Sequence, residues 1–512
     1  MRTVVVLGVL KKTEHPLANL RAVQGFLEDL PRNDALKALQ EITAWMESAR
    51  DMSGFRVDHQ LAVLRLFDEA ARQFERKLAR EYFSSATLAA FHENRLWMAL
   101  NDFSTQALLG YLMVHVRYRN GDKGASAIKG SLPLVAARGI NAATGMLKMA
   151  AARYALFDQA IWKGLAEFYS HAESENYLDQ PVMLFQGGGE TSVRGELAST
   201  LMWYASSSGS LSRSYLHLAE RLVAHLQKNL TLSAQPGANS RFVFDLQHPM
   251  SPMRVSAGAT AQPSLLYLGV EGIGPRIDAL LKALEKNAVP DELNLGGAFE
   301  AGAVRAALQH LAECLASPPP VRRNARRNIK VSLSVTRGLA DVMEQTDIGL
   351  NFGGTASATW QAEDISLSGL RCVLSPASKE KVDIGMLIGI RPENVERWGA
   401  GIVRRISRDS KSHLHVGIEM ISNQLSGVNL REEGADEERP ALWLDSTGGD
   451  PGEVDILMSL DTFVAGRSLH ARVADKSYLL MPLRLLEKGA DYELARYRKV
   501  EREAATDEEE TG

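Results

Sequence analysis

Arginine dominates one short stretch of this chain. Arg322-Arg323-Asn324-Ala325-Arg326-Arg327 is followed by Lys330 and Arg337, six basic residues between Val321 and Arg337 with no acid among them. A guanidinium keeps its charge and presents a planar fork of donors that meets phosphate or carboxylate two bonds at a time, so this stretch is suited to an anion. The whole chain has a net charge of -4, which argues against bulk nucleic-acid or membrane binding and confines any anion site to such a local patch. Further on, after Trp360, stands Asp364-Ile365-Ser366-Leu367-Ser368-Gly369. Alone it reads as a turn, with Asp and Ser capping backbone amides and Gly supplying a positive φ. A basic run ahead of a strand, taken alone, reads as a solvated edge. Their order raises both above those readings, because a basic segment leads into a region of strands and the carboxylate motif lies inside it.

The elements around them fall into two kinds. From about Pro16 to Leu315 the pattern is mainly helical: Leu61, Leu64, Leu66, Phe67, Ala70 and Phe74 recur mostly at three- and four-residue steps with charges between them. Ala142 to Tyr169, Leu216 to Leu230, Pro275 to Lys286 and Ala301 to Leu315 read the same way. Small residues at Gly187-Gly188-Gly189 and at Ser206 to Ser212 break the helices. Ser233 to Pro263, rich in Ser, Gly and Pro, reads as a long loop or a subdomain boundary. No clean 34-residue repeat marks a helical solenoid.

Ser317-Pro318-Pro319-Pro320 then stops any helix, and period-two alternation takes over. Val331, Leu333 and Val335, then Ile384, Met386, Ile388 and Ile390, then Leu414, Val416, Ile418 and Met420 alternate with polar or small residues. Strand-like pieces continue past a charged linker at Arg431 to Arg439: Ala441 to Leu444, Val454 to Leu460, Ser468 to Val473 and Ser477 to Leu485. The expected fold class is multidomain α+β, a large helical region followed by a small antiparallel β-barrel and a β-rich extension. The expected boundaries are 1–316 helical, with a candidate subdomain boundary at 233–263; 317–327 linker; 328–425 barrel; 426–500 extension; and 501–512 an acidic, disordered tail.

With both motifs in place, the region from about Val321 to Leu425 resembles the PilZ family, whose signatures are R-x-x-x-R ahead of a β-barrel and D/N-x-S-x-x-G on a following strand. Arg322 and Arg326 fit the first; Arg323 and Arg327 fit it equally in an overlapping register. Asp364, Ser366 and Gly369 fit the second, and the runs Gly385 to Arg391, Gly401 to Arg405 and Val416 to Glu419 look like the remaining barrel strands. Gly338 to Thr359 is longer than is usual in the family and reads as an elaborated hairpin.

The resemblance implies a receptor for cyclic di-GMP, bound by Arg322, Arg323, Arg326, Arg327, Asp364, Ser366 and Gly369. It implies no catalysis and no cofactor, and an output through a protein partner engaged by the helical region, in motility, type IV pilus, adhesion or exopolysaccharide control. It further implies that the arginine segment wraps the ligand and fixes the geometry of the regions on either side. The chemistry is consistent. Guanine O6 and N7 are adjacent acceptors for an arginine fork, and the phosphates take guanidinium equally well. Asp364 offers an acceptor for the guanine N1–H and N2 amine, Ser366 a hydroxyl, and Gly369 room for a flat ligand. The alternative is a nucleotide-independent adaptor acting through protein contacts, which some PilZ-like domains lacking these arginines resemble.

Other signals are weaker. Arg404, Arg405 and Arg408 read as an exposed strand edge blunted by charge. His413 and His415 share one face of a strand but lack a third ligand, so no metal is expected. Gly269-Val270-Glu271-Gly272-Ile273-Gly274 has the wrong glycine spacing for a dinucleotide fingerprint and reads as a turn. Trp45, Trp97, Trp162 and Trp203 fall among helical apolar positions and read as core. Cys314 and Cys372, the two cysteines, match no metal or redox spacing. No catalytic arrangement stands out, and a basic stretch without interleaved aromatics speaks against nucleic acid. The apolar run Val4 to Leu10 is short for a signal sequence and meets Lys11 and Lys12 at once. With no later run long enough to span a bilayer, a cytoplasmic location is expected.

Overall fold

The structure is a computed structural model. It describes residues 15–502 except 51–53, 85–87, 257, 296–298, 319–324, 347–357, 367, 379, 433–436, 445–449 and 474–475. The chain divides into two compact units, residues 1–320 and 321–512.

The first unit is built on ten α-helices among the described residues: α1 (Leu20–Glu28), α2 (Ala35–Arg50), α3 (Val57–Ser84), α4 (Ala90–Arg119), α5 (Leu132–Ala151), α6 (Gln159–Ser174), α7 (Val193–Ser207), α8 (Arg213–His225), α9 (Ile273–Ala283) and α10 (Ala301–Leu315). The periodic apolar residues of α3 form its inner face: Leu61, Leu64, Phe67 and Phe74 are buried, with Leu66 and Ala70 packed at the margin. Trp162 and Trp203 are buried and Trp45 and Trp97 are partly so, all in one core. The run from Ala142 to Tyr169 is two helices rather than one. Tyr154 takes a left-handed φ of 50°, and the Asp158 carboxylate starts α6 afresh by accepting the Ala160 N–H at 2.8 Å.

Ser233 to Pro263 is not one uninterrupted loop. Beyond a two-residue pair, β1 (Val182–Met183) with β2 (Glu190–Thr191), the unit holds a four-stranded antiparallel sheet in the order β3-β6-β4-β5. Its strands are β3 (Leu230–Ser233), β4 (Ser240–Asp245), β5 (Met253–Arg254) and β6 (Leu265–Val270). Phe242 and Phe244, two residues apart, bury one face of β4. The strand is short, and the turn-forming residues on both sides conceal its alternation. Of the glycines in Gly269 to Gly274, Gly272 makes the β6–α9 turn at φ 63°, with Gly269 in β6 and Gly274 in α9.

The second unit holds two closed antiparallel barrels. The first is formed by β7 (Arg327–Arg337), β8 (Ala358–Ser366), β9 (Gly369–Leu374), β10 (Leu387–Pro392), β11 (Gly399–Arg408) and β12 (Leu414–Ser422). It closes because β7 pairs with β8 on one side and β10 on the other. Leu333, Val335, Trp360, Ala362, Cys372, Ile390, Val416 and Ile418, the apolar half of each alternation, are buried. Helix α11 (Gly338–Glu344) occupies the start of the long connection after β7, and 347–357 lie outside the described residues.

The β-rich extension is itself a barrel, of β13 (Leu425–Glu432), β14 (Glu438–Leu444), β15 (Glu453–Met458), β16 (Leu469–Val473), β17 (Lys476–Lys488) and β18 (Glu493–Arg502). Its ring order, β13-β14-β15-β18-β17-β16, repeats the first ring, β7-β8-β9-β12-β11-β10, strand for strand. Two boundaries read from sequence shift accordingly. Arg431 to Arg439 is a hairpin rather than a linker, with Arg431 opposite Glu438 across the β13–β14 pair. Glu501 and Arg502 belong to β18, opposite Tyr478 and Ser477, while 503–512 lie outside the described residues.

The barrels share a buried seam. Leu339 and Val342 of α11, with Leu387, Ala400 and Ile402 of the first barrel, pack against Leu442, Leu444, Leu457, Tyr492 and Leu494 of the second. Asp491 of the second barrel accepts the Leu339 N–H at 2.7 Å and so caps α11. At the rim, Arg404 reaches Glu487 with two bonds of 2.7 and 2.6 Å and Glu419 with one of 2.7 Å. Burial works against this guanidinium's charge, but Glu487 and then Glu419 more than offset it and raise its pKa. Strand β11 has neighbours on both sides, so Arg404 is an inter-barrel tie and not a blunted edge.

Replacing Ile402 with Ala should destabilise the second unit by about 2–5 kcal/mol. Because the seam is common, hydrogen exchange should rise together in Leu387–Pro392 and in Glu438–Leu444; a rise confined to the first barrel would show that the barrels do not share this core.

Candidate functional site

The site read from sequence lies where β7 begins and β8 ends. Strands β7 and β8 pair antiparallel with Arg327 opposite Ile365 and Asn328 opposite Asp364. The first residue ahead of β7, Arg326, therefore arrives beside the last turn of β8. Its Nη1 donates to Asp364 Oδ1 at 2.7 Å, with the side chains 31% and 15% exposed. Trp360 and Ala362 ahead of it on β8 are buried, the pairing with β9 is irregular between Ala362 and Asp364, and the carboxylate lies largely covered near the end of the strand. Oδ1 takes the arginine, and Oδ2 has no hydrogen-bond partner among the described residues.

This geometry separates the two overlapping arginine registers. Arg326 meets the carboxylate. Arg327 is one residue on, exposed and opposite the exposed Ile365, because neighbouring strand residues face opposite ways. Arg322 and Arg323 lie outside the described residues.

Ser366 and Gly369 make the β8–β9 turn. Ser366 Oγ donates to the Gly369 carbonyl at 3.0 Å, which commits its proton and leaves the oxygen able to accept. Gly369 differs from the expectation of a positive-φ turn. Its φ is not among the left-handed ones, and a Cβ built there would lie 2.3 Å from the Ile418 carbonyl on β12. The neighbouring strand, by itself, requires glycine at this position.

Charge continues across the outer surface of β8, β9 and β12. Arg371, opposite Asp364 on β9, lies 3.4 Å from Glu363 and donates to His415 Nδ1 at 2.7 Å. His415 in turn contacts Asp409 at 3.3 Å, and His413 contacts the same carboxylate oxygen at 3.0 Å. Asp409 also accepts the N–H groups of Lys411 and His413 in the β11–β12 turn, both at 2.9 Å. Partial burial works against its charge, yet these donors, the His413 N–H foremost, hold its pKa well below the usual carboxylate range. The two histidines are thus organised around a carboxylate, and no group of three metal-ligating side chains occurs among the described residues. Sequence reading missed Arg371 and Glu363, since a charged residue on the outer phase of a strand is the commonest kind of surface residue. Inside the barrel, burial first and then the nearby Asp364 and Glu363 push the Cys372 thiol up to about 12, which keeps it protonated and inert.

Both cysteines are free, and no helix among the described residues is long and apolar enough to cross a membrane.

Replacing Gly369 with Ala should destabilise the second unit by about 1–3 kcal/mol, the magnitude of an overpacked position, with no ligand present. A denaturant midpoint unchanged from wild type would show that β12 can move aside.

Residues 21–237 match the family model described as "Cyclic-di-GMP receptor FimW, N-terminal domain". The match covers less than half of the chain, lies within the helical unit and does not reach the barrels. No curated protein matches the chain.

Proposed function

We propose that this chain is a receptor for cyclic di-GMP that binds the nucleotide at the start of the first barrel, with Arg326 and Asp364 at the centre of the site. The observation that carries this reading is the 2.7 Å contact between them: two motif halves 38 residues apart meet at one place. The match of 21–237 to a receptor family for the same nucleotide supports it from a part of the chain that contains neither motif.

Each group has a task that its chemistry suits. Arg326 supplies a fork for a phosphate or for the O6/N7 edge of guanine. Asp364 accepts from guanine N1–H and N2, donors that arginine cannot satisfy. Ser366, its proton spent on Gly369, adds an acceptor. Arg322 and Arg323, together with the exposed Arg327, add further cations for the two phosphates.

Magnitudes decide whether the Arg326–Asp364 pair blocks the ligand. A partly exposed ion pair contributes about 0.2–1 kcal/mol. A hydrogen bond to a charged group contributes about 1.5–3 kcal/mol, and the ligand offers several. Opening or sharing the pair is therefore a small term, and the pair holds both side chains near their binding positions meanwhile.

Titration calorimetry of the full chain with cyclic di-GMP should show binding that weakens at least about ten-fold in Arg326→Ala and in Asp364→Ala, since each loses a charged contact worth more than 1.4 kcal/mol. Gly369→Ala, if it folds, should retain affinity. Absence of heat with the wild type would sink the reading and leave the nucleotide-independent adaptor.

A further inference from the structure

The repeated ring order gives each strand of the second barrel a counterpart in the first, and the counterpart of the nucleotide site can be located. The end of β8 and the start of β7 correspond to the end of β14 and the start of β13. There Leu425, the first residue of β13, pairs with Leu444, the last of β14, and both leucines belong to the seam with the first barrel. That end of the second barrel is therefore filled by its neighbour.

Away from the seam, its wall of β16, β17 and β18 has a different character. On β17, the middle strand of β16-β17-β18, Met481 and Leu483 are 43% and 42% exposed, and Val500 beside them on β18 is 43% exposed. Leu479 lies between Val500 on β18 and His470 on β16, and Met481 lies opposite Arg498. Exposed arginines stand on the two flanking strands: Arg472 on β16, and Arg498 and Arg502 on β18. None of the three has an ion-pair partner among the described residues. Arg496, by contrast, is engaged by Asp455 at 2.7 Å and is not part of this surface.

From these observations we infer that the outer face of β16-β17-β18 docks an amphipathic helix of a partner protein, one whose apolar stripe is flanked by carboxylates. Three physical points fit that occupant. The flanking strands lie about 10 Å apart, twice the strand spacing, which is the breadth of a helix, so an apolar stripe on β17 and carboxylates reaching Arg472 and Arg498 can be met together. The barrel is closed, and β17 already pairs on both sides, so a partner cannot add a strand and must engage side chains. Self-pairing of this face would bring together two sets of arginines that have no carboxylate partner among the described residues, which disfavours a second copy. The surface is separate from the nucleotide site, so the inference holds whether or not that reading does.

The test uses the full chain and a helix-constrained peptide of about 18 residues, long enough to cover the strip, with Leu along one face and Glu on both flanks. Fluorescence anisotropy should show saturable binding. Met481→Ser and Arg498→Glu, both at exposed positions, should each weaken it about ten-fold, as for central interface residues, while thermal midpoints stay at the wild-type value. The same peptide with Lys on its flanks should not bind. Equal binding of the Lys peptide would overturn the inference, as would failure of the Glu peptide to bind. So would Arg498-dependent binding to phosphatidylglycerol vesicles without peptide binding, which would make this a membrane face. Concentration-dependent dimers abolished by Met481→Ser would instead assign the face to a second copy.

Discussion

The candidate site depends on the register of β7 against β8. Asn328 stands opposite Asp364, and that pairing delivers Arg326 to the carboxylate. A slip of one residue would turn Arg326 to the other face and present Arg327 instead, because side chains alternate with period two. The register is held by burial: Leu333 and Val335 on β7 and Trp360 and Ala362 on β8 must all face inward together. Closure against β10 leaves β7 no free edge along which to slide. The irregularity between Asn328 and Val331 is the local adjustment that keeps both the interior pattern and the motif pairing.

The same closure is used twice. Two rings of identical strand order follow one another with two residues, Asn423 and Gln424, between β12 and β13. Such a short connection would leave two apolar barrel walls side by side, and the seam of Leu387, Ile402, Leu442 and Leu457 buries them. Polar contacts then define how the barrels meet: the Asp491 cap on α11 and the Arg404 fork to Glu487. The hydrophobic part supplies most of the favourable free energy, at about 25 cal/mol per Å², whereas the partly exposed ion pair chiefly selects the angle. Barrels locked in this way present the start of β7 and the outer wall of β16-β17-β18 from one body.

Gly369 shows how a motif residue can have a structural reason of its own. Its side chain is excluded by the Ile418 carbonyl, so glycine at that position would be required in this barrel even without a ligand. Asp364 is different. Among the described residues no barrel-forming contact requires a carboxylate there; its one charged partner among them is Arg326, itself outside the strand. A charge pair that the fold does not need is the part of the motif that points beyond the fold.

Much of this was legible in the residues themselves. Steps of three and four before Leu315 and steps of two after Pro320 separate helix from strand, because each periodicity is a property of contiguous residues. The arginines, Asp364 and their order were equally plain. Pairing decided the rest. Phe242 and Phe244 are a strand because β6 lies beside them, although Ser, Gly and Pro surround them in sequence. Arg431 to Arg439 is as charged as a linker, but Arg431 pairs with Glu438 and Arg439 with Leu430 across β13 and β14. Arg404 looked like an edge until ring closure removed the edge and Glu487, 83 residues away, took the charge. Local sequence determines what each segment can become; which distant segment lies against it, and hence which arginine meets Asp364, is settled only when the rings close.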